Sequence, residues 1–292
     1  MKQTLKLAYK NMWPDHDPER QQPRDFFRLC LEQHYNVIID NHAPDMVIYS
    51  LGGAPIPGEY YSDPILVGYS GEVQDAPNTC DLLLGFHYHV DAVYKRLPLW
   101  VLYIDWDDKN PTGHPLHINS LLSRHELDFV PRTKFCNFTY RNPVKSRIEF
   151  FLALNQKLRV DSTGGLFNNT GKLLGDKTIE LKDYQFTIAW ESSNMQGYVT
   201  EKLLEPLAAG SIPIYSGGSA SVDDFNPRGF IRVEDFPNIH HAIDYVMHVQ
   251  HDVQLQKQYW QQPVWQQAPD WPNRVFGWFY SLIADKKPHL RL

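Results

Sequence analysis

Short apolar runs alternate with amphipathic segments along this chain of 292 residues. The first half contains apolar runs of strand length around one segment, 24–34, in which the apolar residues have helical spacing. In the second half, a run at 134–140 precedes an amphipathic segment at 143–158. This alternation predicts an α/β fold with parallel sheets and flanking helices. The strands predicted for the first half are 5–9, 37–39, 46–49, 65–69, 81–86 and 97–104, and the predicted inner face of the 143–158 helix carries Ile148, Phe151, Leu152 and Leu154.

One stretch, 186–218, combines three such elements: FTIAWESSNMQGYVTEKLLEPLAAGSIPIYSGG. An apolar strand at 186–190 leads into a polar loop, a helix at 200–209 follows, and Gly210 stands where a left-handed residue would end that helix. A second strand then begins at Ile212. This order predicts a right-handed β-α-β crossover. Open α/β sheets bind ligands outside the carboxyl ends of their strands, where such helices begin.

The helix of this stretch begins with the residues Tyr-Val-Thr-Glu-Lys at 198–202. Free backbone N–H groups beside a lysine can bind an anion, because the helix N-terminus carries partial positive charge. An ordinary helix start explains the same residues: Thr200 caps the helix, Glu201 complements its dipole and Lys202 is solvated. From these residues alone, the ordinary helix start is the simpler interpretation.

The whole segment resembles the donor-binding signature of the α1,3/α1,4-fucosyltransferases, glycosyltransferase family 10. The match is strong at Glu191, Ser193, 198–202 and 212–215, and it departs at Trp190, Ser192 and Ser216. Three further segments are similar to the family. They are VGYSGEVQDAPNTCDLLLGF with Glu72, KFCNFTYRNPVKSR with Arg147, and DSTGGLFNNTG with Asn168 and Asn169. The last of these departs from many relatives at Leu166 and Phe167. DDFNPRGFIRVEDF at 223–236 also follows the family, so the resemblance covers 134–237 well and the first half in patches.

The resemblance implies a GT-B type fold, with two Rossmann-like domains facing each other across a cleft. The expected domains are 1–125, which binds the acceptor, and 126–272, which binds GDP-fucose. Residues 273–292 would form a last helix that crosses back to the first domain. The amphipathic residues at 275–283 agree with such a helix.

The implied activity is transfer of L-fucose from GDP-fucose to a hydroxyl of GlcNAc, in N-acetyllactosamine-type or lipopolysaccharide glycans, in α1,3 and/or α1,4 linkage and with inversion. Glu72 would be the general base, and Glu201 would lie by the fucose ring. Arg147 and Lys202 would bind the diphosphate with the N-terminus of the helix at Thr200. The other expected donor-binding residues are Glu191, Ser193, Tyr198, Thr200, Asn168 and Asn169.

Two other functions fit parts of the sequence. One is a catalytically silent protein that binds a nucleotide sugar or a glycan on the same fold, which the departures at Leu166, Ser192 and Ser216 permit. The other is a glycosidase that uses Glu72 and Glu201 as a pair of carboxylates. A glycosidase would not need Lys202 or Arg147.

The residues Asp105-Trp106-Asp107-Asp108 resemble the metal-binding Asp-x-Asp of another large glycosyltransferase fold. Pro111, Gly113 and Pro115 follow at once, so a polar turn is the favoured interpretation. No cofactor is therefore expected to be required besides the donor substrate, although a divalent metal could stimulate activity. Cys30, Cys80 and Cys136 are far apart in apolar segments, which predicts buried free thiols.

The net charge of −6 argues against a nucleic-acid partner, which would need a basic face. No apolar run approaches the roughly 20 residues of a membrane span, and the first residues lack a signal-peptide core. The chain is therefore expected in the cytoplasm, with at most peripheral membrane contact. Acceptor contacts are expected from the loops at 52–61 and 73–78. The sequence does not determine the linkage or the oligomeric state.

Overall fold

The computed structural model describes residues 2–12, 25–52, 62–72, 80–88, 91–110 and 112–292. The chain divides into two compact units, one formed by Met1–Asn110 with Pro269–Leu292 and the other by Pro111–Ala268. Each unit contains one parallel sheet, as the α/β pattern predicts. The domain limits predicted from the sequence, at 125/126 and 272/273, stay a prediction, because compactness does not say what a segment binds.

The secondary-structure elements follow in chain order. The strands are β1 (Thr4–Lys10), β2 (Asn36–Ile39), β3 (Met46–Ser50), β4 (Ile65–Ser70), β5 (Leu82–Gly85), β6 (Tyr94–Arg96), β7 (Lys134–Phe138), β8 (Val160–Ser162), β9 (Tyr184–Trp190), β10 (Ile212–Ser216) and β11 (Ile231–Arg232). The helices are α1 (Phe26–Glu32), α2 (Ile118–Ser123), α3 (Lys145–Lys157), α4 (Lys177–Glu180), α5 (Glu201–Ala209), α6 (Ser221–Asp224), α7 (Ile239–His251), α8 (Val253–Trp260) and α9 (Trp271–Lys286).

The first unit has a six-stranded sheet in the order β2-β1-β3-β4-β5-β6, with every pair parallel. Strand β3 is buried at all five positions, as expected for a parallel strand covered on both faces. Helix α9 belongs to this unit and packs on α1, where the rings of Phe27 and Phe279 lie 6.2 Å apart.

The predicted strand at 97–104 is wrong. Leu99–Tyr103 is a 3-10 helix, and the edge strand β6 precedes it. Pro98 comes directly before the helix and has no N–H to donate to a sheet. Four consecutive residues of this run are buried: Leu99, Trp100, Val101 and Leu102. Because every position is apolar, the run has no periodicity that could distinguish a strand from a helix.

The second unit has a five-stranded parallel sheet in the order β11-β10-β9-β7-β8. Its central strand, β9, is buried at all seven positions. Strands β9 and β10 are neighbours, with Phe186 opposite Ile212 and Trp190 opposite Ser216. Helix α5 connects them, so the predicted β-α-β crossover is confirmed.

The prediction for the inner face of α3 is confirmed at Phe151 and Leu154 and is wrong at Leu152. The buried residues of α3 are Arg147, Phe150, Phe151 and Leu154, whereas Leu152 is 46% exposed and Ile148 is half-buried. The inner face therefore follows positions 147, 150 and 154, which have helical spacing. The apolar pattern placed the face about one position too far along the helix, because its first buried residue, Arg147, is charged.

The three cysteines are free thiols. Cys30 and Cys136 are buried as predicted, and Cys80 is half-buried.

Gly210 ends α5 in the left-handed region, with φ 73° and ψ 24°, as the sequence predicts. We expect Gly210→Ala to lower the free energy of unfolding by about 2 kcal/mol or more. A side chain in this conformation costs roughly 1 kcal/mol, and its Cβ would overlap the ring of Trp260. Denaturant unfolding measures the change. Gly277→Ala is the matched control, because a Cβ there meets nothing within 4 Å and should stabilise α9 by about 0.5–1 kcal/mol. Equal stabilities for the two variants would contradict this account.

Candidate active site

The predicted donor-binding residues follow parallel strands of the second sheet. Strand β7 leads to α3 with Arg147, and β9 leads through Glu191 to the first turn of α5. The carboxyl ends of β7, β9 and β10 lie at the same edge of the sheet, because these strands are parallel neighbours. This edge is the candidate active site.

The loop between β9 and α5 is fastened to the helix start by one carboxylate. Thr200 is the N-cap of α5, and its hydroxyl accepts a hydrogen bond from the backbone N–H of Lys202 at 3.4 Å. Both the N–H and the hydroxyl of Thr200 donate to the carboxylate of Glu191, at 2.8 Å each. The side chain of Glu191 is fully buried. Thr200 is thus the ordinary N-cap, and Glu191 adds a second attachment that positions the first turn.

Lys202 lies between two carboxylates. Its Nζ is 3.1 Å from Oε1 of Glu201, 3.6 Å from Oε2 of Glu191 and 3.0 Å from Oγ1 of Thr200. The side chain is only 18% exposed, so the interpretation of Lys202 as a solvated side chain is wrong. Burial acts to lower the pKa of Lys202, but Glu201 and Glu191 outweigh it and hold the pKa well above its usual value. Lys202 is therefore a half-buried, charged ammonium.

The two glutamates beside Lys202 differ in their protonation. Burial raises the pKa of Glu191 to about 7, although Lys202 opposes the shift. Burial also acts to raise the pKa of Glu201, but Lys202 and Lys177 reverse this and lower the pKa below its usual value. At neutral pH, Glu201 is ionised and Glu191 is close to its midpoint. The site can therefore change its charge near neutral pH while Glu201 stays negative.

The high pKa of Glu191 predicts how stability depends on pH. Its folded pKa of about 7 lies above the unfolded value of 4.5, so the folded state holds the proton more tightly. This stabilisation is fully present below pH 4.5 and is lost as the pH rises through 7; by linkage it amounts to about 3 kcal/mol. We expect Glu191→Gln to show a weaker loss of unfolding free energy than the wild type between pH 5 and 7.5. Urea unfolding across this range measures both slopes, and identical slopes would contradict the assignment.

Arg147 is a buried cation without a carboxylate partner among the described residues. Its Nη2 donates to the carbonyl of Trp190 at 2.8 Å and its Nη1 to that of Asn142 at 3.2 Å, while the buried Nε has no partner. The guanidinium lies 3.8 Å from the ring centroid of Tyr140. Burial lowers the pKa of Arg147. A buried charge is costly unless an opposite charge compensates it, so this arrangement favours an anionic ligand.

Tyr140 holds this arrangement together, and the sequence prediction missed it. Its hydroxyl donates to the carbonyl of Ile188 at 2.9 Å and accepts from the N–H of Trp190 at 2.6 Å. Tyr140 thus ties Arg147 to the end of β9. The only signal in the sequence is an aromatic residue at the end of a strand, which is too common to identify a role.

The remaining donor-binding candidates are engaged in local structure. Tyr198 is fully buried, with its hydroxyl 3.2 Å from Oγ of Ser192, and the hydroxyl of Ser193 accepts from the N–H of Met195 at 3.3 Å. The amide of Asn168 donates to the carbonyls of Gly164 and Lys172, and that of Asn169 bonds to Val160 and Ser162. Both asparagines therefore shape the 161–171 loop. Their contact with a donor stays a prediction.

Phe167 occupies one of the two positions where the 161–171 loop departs from the predicted family pattern. It is 46% exposed, and its ring stacks on that of Phe151 with 5.6 Å between centroids. The loop thus presents an aromatic face here.

Glu72 follows β4 in the first unit. Its side chain is exposed, and its carbonyl accepts from the hydroxyl of Ser70 at 2.7 Å. A position after a strand agrees with the prediction for Glu72, and its role as a base stays a prediction. The loops expected to contact the acceptor fall largely outside the described residues, at 53–61 and 73–79.

Asp105 to Asp108 form the predicted polar turn. The N–H of Asp107 donates to the carboxylate of Asp105 at 3.2 Å, and that of Asp108 to the carbonyl of Trp106 at 2.9 Å. Across the described residues, no cluster of three or more His, Cys, Asp or Glu side chains could hold a metal ion.

A second ion pair lies one helical turn beyond Glu201. Nζ of Lys177 in α4 is 2.7 Å from Oε2 of Glu205 in α5, and the side chain of Glu205 is 12% exposed. Burial raises the pKa of Glu205 to about 7. Glu205 has helical spacing from Glu201, a signal that the sequence contained. Lys177 is distant in sequence and had no such signal.

The described part of the chain contains no helix that is long and apolar enough to span a membrane.

Comparison with known proteins identifies the family. Residues 132–275 match the family model described as glycosyltransferase family 10 (fucosyltransferase) C-term, and residues 7–103 match the alpha-(1,3)-fucosyltransferase FucT N-terminal domain. The alpha-(1,3)-fucosyltransferase FucT of Helicobacter pylori is 28% identical over 274 residues, which are 84% of this chain and 57% of that protein. A Mus musculus 4-galactosyl-N-acetylglucosaminide 3-alpha-L-fucosyltransferase 9 is 28% identical over 122 residues, covering 40% of this chain and 33% of that protein. This chain therefore spans just over half the length of the first relative and a third of the second.

A crystal structure of alpha1,3-fucosyltransferase with GDP-fucose has a TM-score of 0.77 to this chain at 24% identity, covering 98% of this chain and 92% of that one. This likeness shows the fold, with two Rossmann-like α/β domains of GT-B type, and confirms the fold prediction. The two family models together match most of the sequence, and the predicted signature residues lie at the carboxyl edge of the second sheet. The chain belongs to glycosyltransferase family 10, the fucosyltransferase family.

Proposed function

We propose that this chain is an inverting fucosyltransferase. It moves L-fucose from GDP-fucose to a hydroxyl of GlcNAc in N-acetyllactosamine-type or lipopolysaccharide glycans, in α1,3 and/or α1,4 linkage. The observation that carries the proposal is a pair of cations at the carboxyl edge of the second sheet, the buried Arg147 and the half-buried Lys202. Neither family membership nor fold would by itself establish activity.

The diphosphate is the natural ligand of this edge. As the bond between fucose and GDP breaks, negative charge develops on the departing phosphate. Arg147 is held by the carbonyls of Trp190 and Asn142, so its position does not depend on the ligand. Lys202 and the N-terminus of α5 add positive charge from a second direction. Thr200 and Glu191 support the reaction by fixing the first turn of α5.

The ionised carboxylate of Glu201 interacts with the fucose ring of the donor. In the transition state the fucose ring carries positive charge, which a nearby carboxylate stabilises, and the same oxygens can accept hydrogen bonds from fucose hydroxyls. Lys202 holds one oxygen of Glu201 at 3.1 Å. Tyr198 contacts a phosphate or the sugar, and Ser193, Asn168 and Asn169 complete the donor site.

Glu72 is the general base. The acceptor hydroxyl oxygen attacks C1 of fucose while the bond from C1 to the phosphate oxygen breaks, the electron pair leaves with GDP, and the hydroxyl proton passes to Glu72. A single displacement of this kind inverts the anomeric centre. The first domain, with its loops at 52–61 and 73–78, would contact the acceptor.

The names of relatives support the choice of substrates. A solved alpha1,3-fucosyltransferase contains GDP-fucose, and the mouse relative is named for a galactosyl-N-acetylglucosaminide acceptor. We further propose that no metal or cofactor is required, with a divalent metal at most stimulating the reaction. The chain would act in the cytoplasm, with peripheral membrane contact where its acceptor is membrane-bound.

The test is release of GDP from GDP-fucose, with and without N-acetyllactosamine, each in the presence and absence of EDTA. We expect release that depends on the acceptor and survives EDTA. Loss of activity in EDTA would contradict the metal-independent reaction and would make Asp105 and Asp107 the candidate ligands of a metal ion. GDP binding without release on lactosamine or lipopolysaccharide acceptors would favour the silent binding protein. Release of free fucose from a fucosylated glycan, without GDP, would favour the glycosidase.

A further inference from the structure

The carboxyl edge of the first sheet carries aromatic and basic residues that the proposed mechanism does not use. Strands β4, β5 and β6 are parallel neighbours, and their register places Ser70 beside Gly85 and Gly85 beside Arg96. Neighbouring strands are about 4.8 Å apart, so the backbones of Ser70 and Arg96 are about 10 Å apart. Glu72 and His87 each lie two residues beyond this row. The end of β5 therefore lies between the strand that leads to the proposed base and the strand that ends in Arg96.

The segment directly after β5, residues 86–88, is fastened to β6 by hydrogen bonds. The N–H of His87 donates to the hydroxyl of Tyr94 at 2.8 Å, and Nε of Arg96 donates to the carbonyl of Phe86 at 3.0 Å. The side chain of Phe86 is buried, and its ring centroid is 4.2 Å from that of His87. The conformation of this segment is therefore set by the sheet itself.

Tyr88 presents an aromatic ring at this edge. The residue is half-buried, and the guanidinium of Arg96 lies 4.7 Å from the ring centroid. A cation over an aromatic face is attracted by the negative charge of that face, so Arg96 orients the ring. Tyrosine combines an apolar ring with a hydroxyl. This combination suits a sugar, which has apolar C–H groups on one face of its ring and hydroxyls around the rim.

We propose that Tyr88 binds the acceptor: its ring stacks on the C–H face of an acceptor sugar, and Arg96 is the positioning residue that orients the ring. The inference rests on the proposed function, because it takes Glu72 as the base that receives the acceptor proton. With the reacting hydroxyl at Glu72, after β4, the rest of the glycan extends over the neighbouring end of β5. Tyr88 thereby determines affinity for the acceptor and has no part in binding GDP-fucose.

Four variants test the stacking contact. Tyr88→Ala removes the ring, and Tyr88→Phe keeps the ring without its hydroxyl. Arg96→Met removes the cation, and Arg96→Lys retains a positive charge. Rates of GDP release are measured against N-acetyllactosamine, or a lipopolysaccharide glycan where only that supports release, and against GDP-fucose, which gives kcat and a KM for each substrate. GDP release without acceptor, in which water replaces the glycan, reports on the donor site alone.

Tyr280→Ala is the matched control, because Tyr280 is a half-buried tyrosine of the same unit, on α9. Its hydroxyl donates to the carbonyl of Leu292 at 3.4 Å. The hydroxyl of Tyr35, directly before β2, donates to the carbonyl of Leu290 at 2.7 Å. The end of the chain therefore lies near the amino edge of the first sheet, and the control is away from the carboxyl edge.

We expect Tyr88→Ala to raise the KM for the acceptor by about tenfold, because loss of an aromatic contact lowers affinity by up to about this factor. The kcat, the KM for GDP-fucose and the release without acceptor should stay within about twofold, as for loss of a contact made equally in the bound and transition states. Tyr88→Phe and Tyr280→Ala should behave as the wild type. Arg96→Met should raise the acceptor KM by about threefold, and Arg96→Lys should restore part of the loss.

An unchanged acceptor KM in Tyr88→Ala would overturn the inference. An equal loss in Tyr88→Phe would also overturn it, since the contact would then belong to the hydroxyl. So would a rise in both KM values that follows the melting temperatures, because residues 86–88 would then only support the fold. In each case the wild type still transfers fucose, and the proposed function stands. A wild type that releases no GDP with any acceptor would instead remove the proposed function, and this inference with it.

Discussion

Replacing Glu72 with Gln is expected to lower fucose transfer by at least about a hundredfold and to leave GDP affinity nearly unchanged. A general base contributes about two to four orders of magnitude to a rate, and an amide cannot accept the hydroxyl proton. The side chain is exposed at the end of β4, so an isosteric amide should cost little stability. The transfer rate is measured as acceptor-dependent GDP release, and GDP affinity by calorimetry.

The pattern of the two measurements decides the role of Glu72. Glu126→Gln, another exposed glutamate, is the control and should retain wild-type turnover. Collapse of GDP binding in Glu72→Gln would mean that Glu72 supports the structure or the donor site. Full transfer activity in that variant would place the base elsewhere.

Lys202→Ala is expected to reduce GDP affinity and donor turnover by more than about tenfold. A charge-assisted hydrogen bond contributes about 1.5–3 kcal/mol, and the helix dipole alone cannot replace it. Because Nζ of Lys202 also lies 3.1 Å from Glu201 and 3.6 Å from Glu191, its removal leaves two buried carboxylates without this cation. The variant should therefore also be less stable.

A second variant separates binding from stability. Glu201→Gln added to Lys202→Ala removes one of the unbalanced charges and should restore part of the melting temperature. GDP lacks the fucose ring, so the double variant should still bind GDP weakly. Recovery of GDP affinity together with stability would contradict a diphosphate contact by Lys202.

The exposure of Lys202 shows where sequence reasoning succeeds and where it stops. The residues of 198–202 predict a helix start that can bind an anion, and the structure has Thr200 as the N-cap, with Gly210 ending the helix. Yet the choice between a solvated lysine and a half-buried, paired one depends on Glu191, which follows the end of β9. Helix caps are local in the chain, whereas burial depends on what other segments cover.

The failures in the fold have the same origin. The run at 97–104 is apolar throughout, because its residues are buried on every side. Its hydrophobic pattern therefore has no period that could distinguish the 3-10 helix from a strand. On α3, the buried face begins with Arg147. Its guanidinium lies over the ring of Tyr140 and donates a hydrogen bond to the carbonyl of Trp190. A charged residue on an inner face is invisible to a hydrophobic pattern, because the compensating groups come from other elements.

The sequence by itself determined the α/β class, the strand-helix-strand order around 186–218, the start and end of α5 and the family signature. These features depend on local preferences of the backbone and on spacing within one element. Only the tertiary structure decided which charges are buried, that Arg147 lacks a carboxylate partner among the described residues, and that Lys177 meets Glu205. Such contacts join residues distant in the chain, and their charge states follow from burial, which exists only once the elements are packed together.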